Sequence, residues 1–137
     1  MVCPELLLGW HNLVKSVTKV IRLAGLLALV SIGVLSVLPG EVRPHVVVSG
    51  HLEHFGAYCV AGFIIGFGYF GRLPLLSAAI GLPIYSGVLE AAQLFIPGRN
   101  SRLSDVWASS LGAWAGVILV FVIYSMLRGR EFMRNAQ

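Results

Sequence analysis

Apolar residues in this chain come in long blocks, each closed by glycine, proline or arginine. The first block runs from Val20 to Leu38 with no charge after Arg22, and Pro39-Gly40 stops it. The second runs from Phe55 to Phe70 and is followed by Gly71-Arg72. The third, Leu73 to Ile96, ends at Pro97-Gly98, and the fourth, Asp105 to Leu127, ends at Arg128-Gly129-Arg130. A helix needs about 20 mostly apolar residues to cross the hydrocarbon core of a bilayer. The pattern therefore predicts an all-α membrane protein, a bundle of about four transmembrane helices. The second block is the shortest, so its first turn is expected to begin earlier, near His51.

Ahead of the first block, Leu6, Trp10, Leu13 and Val17 recur at helical spacing, while Asn12, Lys15 and Lys19 fall elsewhere on the wheel. That periodicity predicts an interfacial amphipathic helix over Leu6 to Lys19, lying at headgroup level. The basic start and apolar stretch loosely resemble a signal peptide, but the stretch is long and no clean A-x-A-like site follows. An uncleaved first helix is the reading adopted; cleavage would leave three spans.

Composition agrees with the blocks. The 137 residues suffice for one domain, and 57% are apolar while only 12% are charged. A soluble domain carries about 25% charged residues, so this chain lacks the polar groups to cover a water-facing surface. The formal net charge is +4, but the basic residues lie beside or between apolar blocks, as topology signals do, and no nucleic-acid-binding pattern is present. With four spans, one side holds Lys15, Lys19, Arg22, Arg72, Arg128, Arg130 and Arg134, and the other holds Arg43, Arg99 and Arg102. The positive-inside rule then predicts both termini in the cytoplasm of a plasma-membrane protein. Gly62 and Gly66, and again Gly112 and Gly116, are spaced for close helix packing in lipid. Pro83 should kink the third span. Cys3 and Cys59 are placed too differently for a disulfide, and neither has zinc-ligand neighbours.

The polar residues left over gather at the outward ends of the spans. His51, Glu53 and His54 precede or open the second; Glu90 and Gln93 lie in the last turns of the third. Arg99 and Arg102 are in the link after it, and Ser104 and Asp105 open the fourth. Ser104 or Asp105 can serve as a helix cap, Arg99 as an interfacial anchor, and Gln93 as an interhelical hydrogen-bonder. Glu90 is harder to explain structurally. It follows an uncharged stretch from Leu73 to Leu89, and a charge at the bilayer centre costs roughly 2.5–3.5 kcal/mol on insertion scales. Its expected partner is Arg99, just beyond the helix end.

The string Glu90-Ala-Ala-Gln93-Leu-Phe-Ile-Pro97-Gly98-Arg99 resembles the E-x-x-Q…P-x-R signature of VanZ-like proteins. Ser104-Asp105 with Gly112 and Gly116 is similar to that family's D-x-x-x-N-x-x-G-x-x-x-G continuation, and His54-Phe55-Gly56-Ala57-Tyr58 to its H-F-x-x-Y motif. The match covers about Gly50 to Gly116. Two positions depart from the pattern: Ser109 stands where Asn is frequent, and Gly50-His51 where an Asp-Lys pair is frequent. The resemblance implies a small membrane protein of a family named for a protein linked to teicoplanin resistance. It implies site residues but no reaction.

Three functions fit these residues. The first is binding or transfer of an anionic envelope lipid, an isoprenoid phosphate or a lipid-linked sugar. There Arg99, Arg102 and a protonated His54 would meet phosphate, with Gln93 and Ser104 beside them and backbone N–H groups at the helix start adding to the site. The second is an enzyme in which His54 with Glu90 or Asp105 acts as acid and base. A metal on His54, Glu90 and Asp105 is conceivable, yet no tight ligand motif such as H-E-x-x-H is present, and no cofactor is called for. The third is an accessory subunit that assembles with a partner membrane protein.

Overall fold

The computed structural model describes residues 4–39, 49–69, 75–99 and 101–135. Expectations resting on Cys3, Gly40, Arg43 and the stretch 70–74 lie outside the described residues. Among the described residues four α-helices follow one another: α1 (Pro4–Val37), α2 (Gly50–Tyr69), α3 (Leu75–Gln93) and α4 (Leu103–Asn135). Among the described residues, α1, α3 and α4 are long and apolar enough to cross a membrane. α2 spans 20 residues, which at about 1.5 Å per residue matches the hydrocarbon core. Its first turns carry His51, Glu53 and His54, and these dilute its apolarity. The protein is thus an all-α membrane protein.

Three boundaries differ from the sequence reading. The amphipathic segment Leu6 to Lys19 is no separate helix; it is continuous with the first span in a single helix of 34 residues. Nothing between Lys19 and Val20 breaks the backbone, since no glycine or proline stands there. At the second boundary, α4 passes through Arg128-Gly129-Arg130 to Asn135. Charges there end the apolar stretch without ending the helix. α3 stops at Gln93, short of the expected Ile96, and the chain leaves it through turns in which Leu94, Phe95 and Ile96 bond to carbonyls three residues back. Pro97 disfavours helix at Ile96, and Gly98 takes a positive φ of 73°, which suits glycine.

Contacts fix the topology. Gly68 packs against Ile21 and Arg22, and Gly25 against Ile65, so α1 and α2 run antiparallel. The Tyr85 hydroxyl donates to the Leu29 carbonyl at 2.9 Å, joining α3 to α1, and Trp114 Nε1 donates to the Ala79 carbonyl at 2.8 Å, joining α4 to α3. The largest interface is between α2 and α4. There a Cβ on Gly112 would collide with the Phe55 backbone, and one on Gly116 with Cys59 O and Phe63 N. A Cβ on Gly62 would lie 2.6 Å from Ala113 O. Gly62, Gly112 and Gly116 are therefore pressed against a neighbouring backbone, which only glycine allows, whereas Gly66 meets the side chains of Val120 and Leu75. The core of Tyr58, Ile65, Ala78, Leu82, Ala113 and Val117 lies between α2, α3 and α4. Large apolar residues on α1 such as Leu23, Leu27 and Val30 face outward, as a lipid-facing helix requires. Pro83 lies inside α3, which continues past it. Cys59 is a free, partly buried thiol.

Candidate functional site

Alternating helix direction brings the end of α1, the start of α2, the end of α3 and the start of α4 to one end of the bundle. The glycine seam then sets the register. With Phe55 against Gly112, His54 falls beside Ser109, whose Oγ lies 3.4 Å from His54 Nδ1. Asp105 stands one turn earlier on the same helix. α3 contributes Glu90 from its last turn, and donor atoms of His54, Glu90 and Asp105 all lie within 4.8 Å of one another. Three side chains that are far apart in sequence, on three helices, thus form one cluster.

The cluster is buried in its inner part. Glu90 is 5% exposed and Gln93, three residues on, 3%. Tyr58, one turn below His54 on α2, is 2% exposed, with Ser86 and Glu90 near enough to act on it electrostatically. Ser109 is fully buried. Burying a carboxylate is costly without a partner, and the structure supplies one from the backbone. Arg102 N–H donates to Glu90 Oε1 at 2.6 Å, while Ser101 Oγ donates to the Glu90 carbonyl at 2.9 Å. Glu90 therefore sits against the start of α4, where the helix dipole favours negative charge.

This arrangement redistributes the expected roles. Arg99, the anticipated partner of Glu90, donates through Nε to Leu38 O at 3.0 Å and through its terminal nitrogen to Ser36 O at 3.0 Å and to Leu35 O. It satisfies the carbonyls that the end of α1 leaves without helical donors. Neither Ser104 nor Asp105 is the residue before α4: the helix opens at Leu103, and Asp105 N–H bonds back to Arg102 O at 2.9 Å. Asp105 instead sits in the first turn, and Ser104 is exposed. A cavity of about 290 Å³ adjoins the cluster, lined by Ser49, Gly50, His51, Arg102 and Asp105. The Arg102 side chain is exposed there.

Along the chain His51 is one of the polar residues that precede or open the second span, and it stands where the family pattern has an Asp-Lys pair. In the structure its Nδ1 lies 2.9 Å from Asp105 Oδ1. Its position, three residues before His54, puts both histidines on one helix face, a signal present in the sequence. Ser109 was visible only as a departure from a pattern, four residues after Asp105; the structure makes it the neighbour of His54. Tyr58 was visible only as the last residue of the H-F-x-x-Y string.

Neither a curated protein nor a solved structure matches the chain. The family model described as VanZ/LLP1 does match, over residues 10–124. That range takes in the His54 string, the Glu90 to Arg99 string and the Asp105 to Gly116 continuation, whose side chains meet at one end of the bundle; the chain belongs to the VanZ/LLP1 family.

Proposed function

We propose that this protein binds or transfers an anionic envelope lipid, or a lipid-linked glycan, at the clustered end of its bundle. The observation that carries this reading is the cavity beside His54, Glu90 and Asp105, with the exposed Arg102 at its edge. A lipid phosphate lies at headgroup depth, where the end of a spanning helix also lies. Arg102 offers planar donors that suit phosphate oxygens, and His51 adds a second cation when protonated. The apolar faces of the helices would accompany the lipid chains. The excess of basic residues at the opposite end supports cytoplasmic termini in the plasma membrane, with the cluster facing outward. A role in resistance to glycopeptide antibiotics would follow if the lipid carries cell-wall precursors.

Mass spectrometry of lipid retained by the purified protein tests this reading. Wild-type protein should retain an isoprenoid phosphate or another anionic lipid, and Arg102→Ala should lose most of it. That variant keeps the backbone N–H that holds Glu90. Equal retention by both proteins, or retention of neutral lipid alone, would contradict the proposal. A second reading, catalysis on the same lipid, is favoured by the closeness of a histidine to two carboxylates, a set able to give and take protons. Its mark would be turnover of a lipid-linked substrate that Glu90→Gln abolishes without loss of binding.

A further inference from the structure

His54, Glu90 and Asp105 are a histidine and two carboxylates held by three different helices, with donor atoms within 4.8 Å of one another. Two carboxylates at that spacing repel each other when both are ionised, the more so with Glu90 buried. The partner Glu90 receives is a neutral backbone N–H. Arg99 donates to the carbonyls of α1. His51 reaches Asp105 from the rim, where its own side chain is 54% exposed.

A separate observation concerns Asp105. Its Oδ1 is buried and receives no hydrogen bond, although His51 Nδ1 is 2.9 Å away; the distance is short, but the hydrogen-bond geometry is not met. A buried anionic oxygen without a donor is rare in folded proteins. Here it sits in the same cluster as a histidine and a second carboxylate. His54 Nδ1 faces the Ser109 hydroxyl, which leaves Nε2 for a ligand, and metal-binding histidines commonly engage their other nitrogen in this way.

We infer that His54, Glu90 and Asp105 together bind one divalent transition-metal ion. One nitrogen and two carboxylate oxygens suit zinc, manganese or iron(II). Metal–donor bonds of about 2.0–2.2 Å would hold the three donors roughly 3–3.5 Å apart, so side-chain rotation of about an ångström closes the set. Three protein ligands leave a coordination position for water or for an oxygen of an anionic headgroup. The ion would neutralise the paired carboxylates, which the backbone N–H at Glu90 does not. This inference deepens the reading of the cluster as the working end of the protein and rests on that much of it, not on which lipid is bound.

The test uses full-length protein in detergent micelles, loaded with Zn²⁺ or Mn²⁺, desalted and analysed by plasma mass spectrometry, with retained lipid measured in the same samples. Wild-type protein should hold about one equivalent of metal, and His54→Ala and Asp105→Asn should hold roughly tenfold less or lower still. Arg22→Ala, at the opposite end of the bundle, should keep it. Added metal should raise the melting temperature of wild type but not of His54→Ala. Asp105→Asn preserves shape, so misfolding of the alanine variant would leave a second ligand variant to decide. The inference is overturned if wild type holds well under one equivalent, or if His54→Ala and Asp105→Asn retain as much metal as wild type. It is also overturned if only His51→Ala loses the metal, since that would move the site to the rim. Lipid without metal would sink this inference alone; metal without lipid would sink the lipid proposal alone.

Discussion

At one end of the bundle Arg22 donates through Nε to Gly68 O at 2.9 Å and lies 5.0 Å above the Tyr69 ring. At the other end Arg99 donates to the carbonyls of Leu38 and Ser36 at 3.0 Å. Each arginine thus closes the C-terminal end of a neighbouring helix. Around Arg22 the charged groups among the described side chains are of one sign: Lys15 and Lys19 lie with it along α1, beside a groove of about 830 Å³ that Trp10, Phe67 and Tyr124 also line. Single-sign, exposed charge along one helix is a membrane-surface anchor and a topology signal. Around Arg99 the charges are mixed in sign, drawn from three helices and partly buried. An arginine at a helix end is therefore no evidence of a site by itself. What separates the two ends is the convergence of acids and histidines at one of them.

The most disruptive way to break this comparison is to separate α2 from α4. Gly112→Leu would drive a side chain into the Phe55 backbone, which cannot move aside as a flexible side chain can. The cost should be about 3 kcal/mol or more, and little folded protein should reach the membrane, as read by quantitative blotting of membrane fractions. His54 and Asp105 would lose their register together. Normal accumulation and an unchanged melting temperature would show that the seam does not set the register.

A smaller effect compares the two arginines directly. Arg99→Ala removes donors from several carbonyls at the end of α1, and should lower stability by about 2–3 kcal/mol; hydrogen bonds from charged groups are each worth about 1.5–3 kcal/mol before solvent screening. Arg22→Ala removes one such bond and a cation–π contact, about 1–2 kcal/mol in all. Thermal melts in detergent should therefore rank Arg99→Ala below Arg22→Ala. The reverse order, or loss of bound ligand in Arg99→Ala with an unchanged melting temperature, would return Arg99 to the binding residues.

The mildest test changes nothing in the fold. In a background with Cys3→Ser and Cys59→Ala, single cysteines at the exposed positions Ser104 and Arg130 report which side of the membrane each end faces. An impermeant maleimide should label Ser104→Cys on intact cells and Arg130→Cys only after permeabilisation. Labelling of both from outside would refute the up-and-down arrangement; the inverse pattern would turn the cluster toward the cytoplasm.

Much of the architecture was legible along the chain. The four blocks and the small-residue spacing of Gly112 and Gly116 depend on local composition and helix geometry alone. So does the gathering of His54, Glu90 and Asp105 at one face: spans that alternate in direction must bring those helix ends together. The breakpoints were less legible. Periodicity separates faces of a helix but cannot tell one long helix from two collinear ones, which is why Leu6 to Lys19 reads as a separate element. Arg128 and Arg130 end an apolar run, yet the backbone hydrogen bonds of α4 do not depend on side-chain polarity.

Partner choice belonged to the tertiary structure. Along the chain Arg99 stands as the expected partner of Glu90; the contacts seen for Arg99 run, after the turns from Leu94 to Gly98, to the end of α1. The backbone of Arg102 then comes to Glu90. Sequence distance constrains how far a side chain can go and leaves open the direction in which the backbone carries it. Unsatisfied carbonyls at the end of α1 compete with a carboxylate for donors, each bond weaker but several within reach of one guanidinium, and nothing in the residue order shows which will lie in reach. The register of α2 on α4 decided that His54 meets Ser109 and that His51 faces Asp105. That register depends on backbone contact at Gly62, Gly112 and Gly116, a property of two helices together that neither sequence segment carries alone.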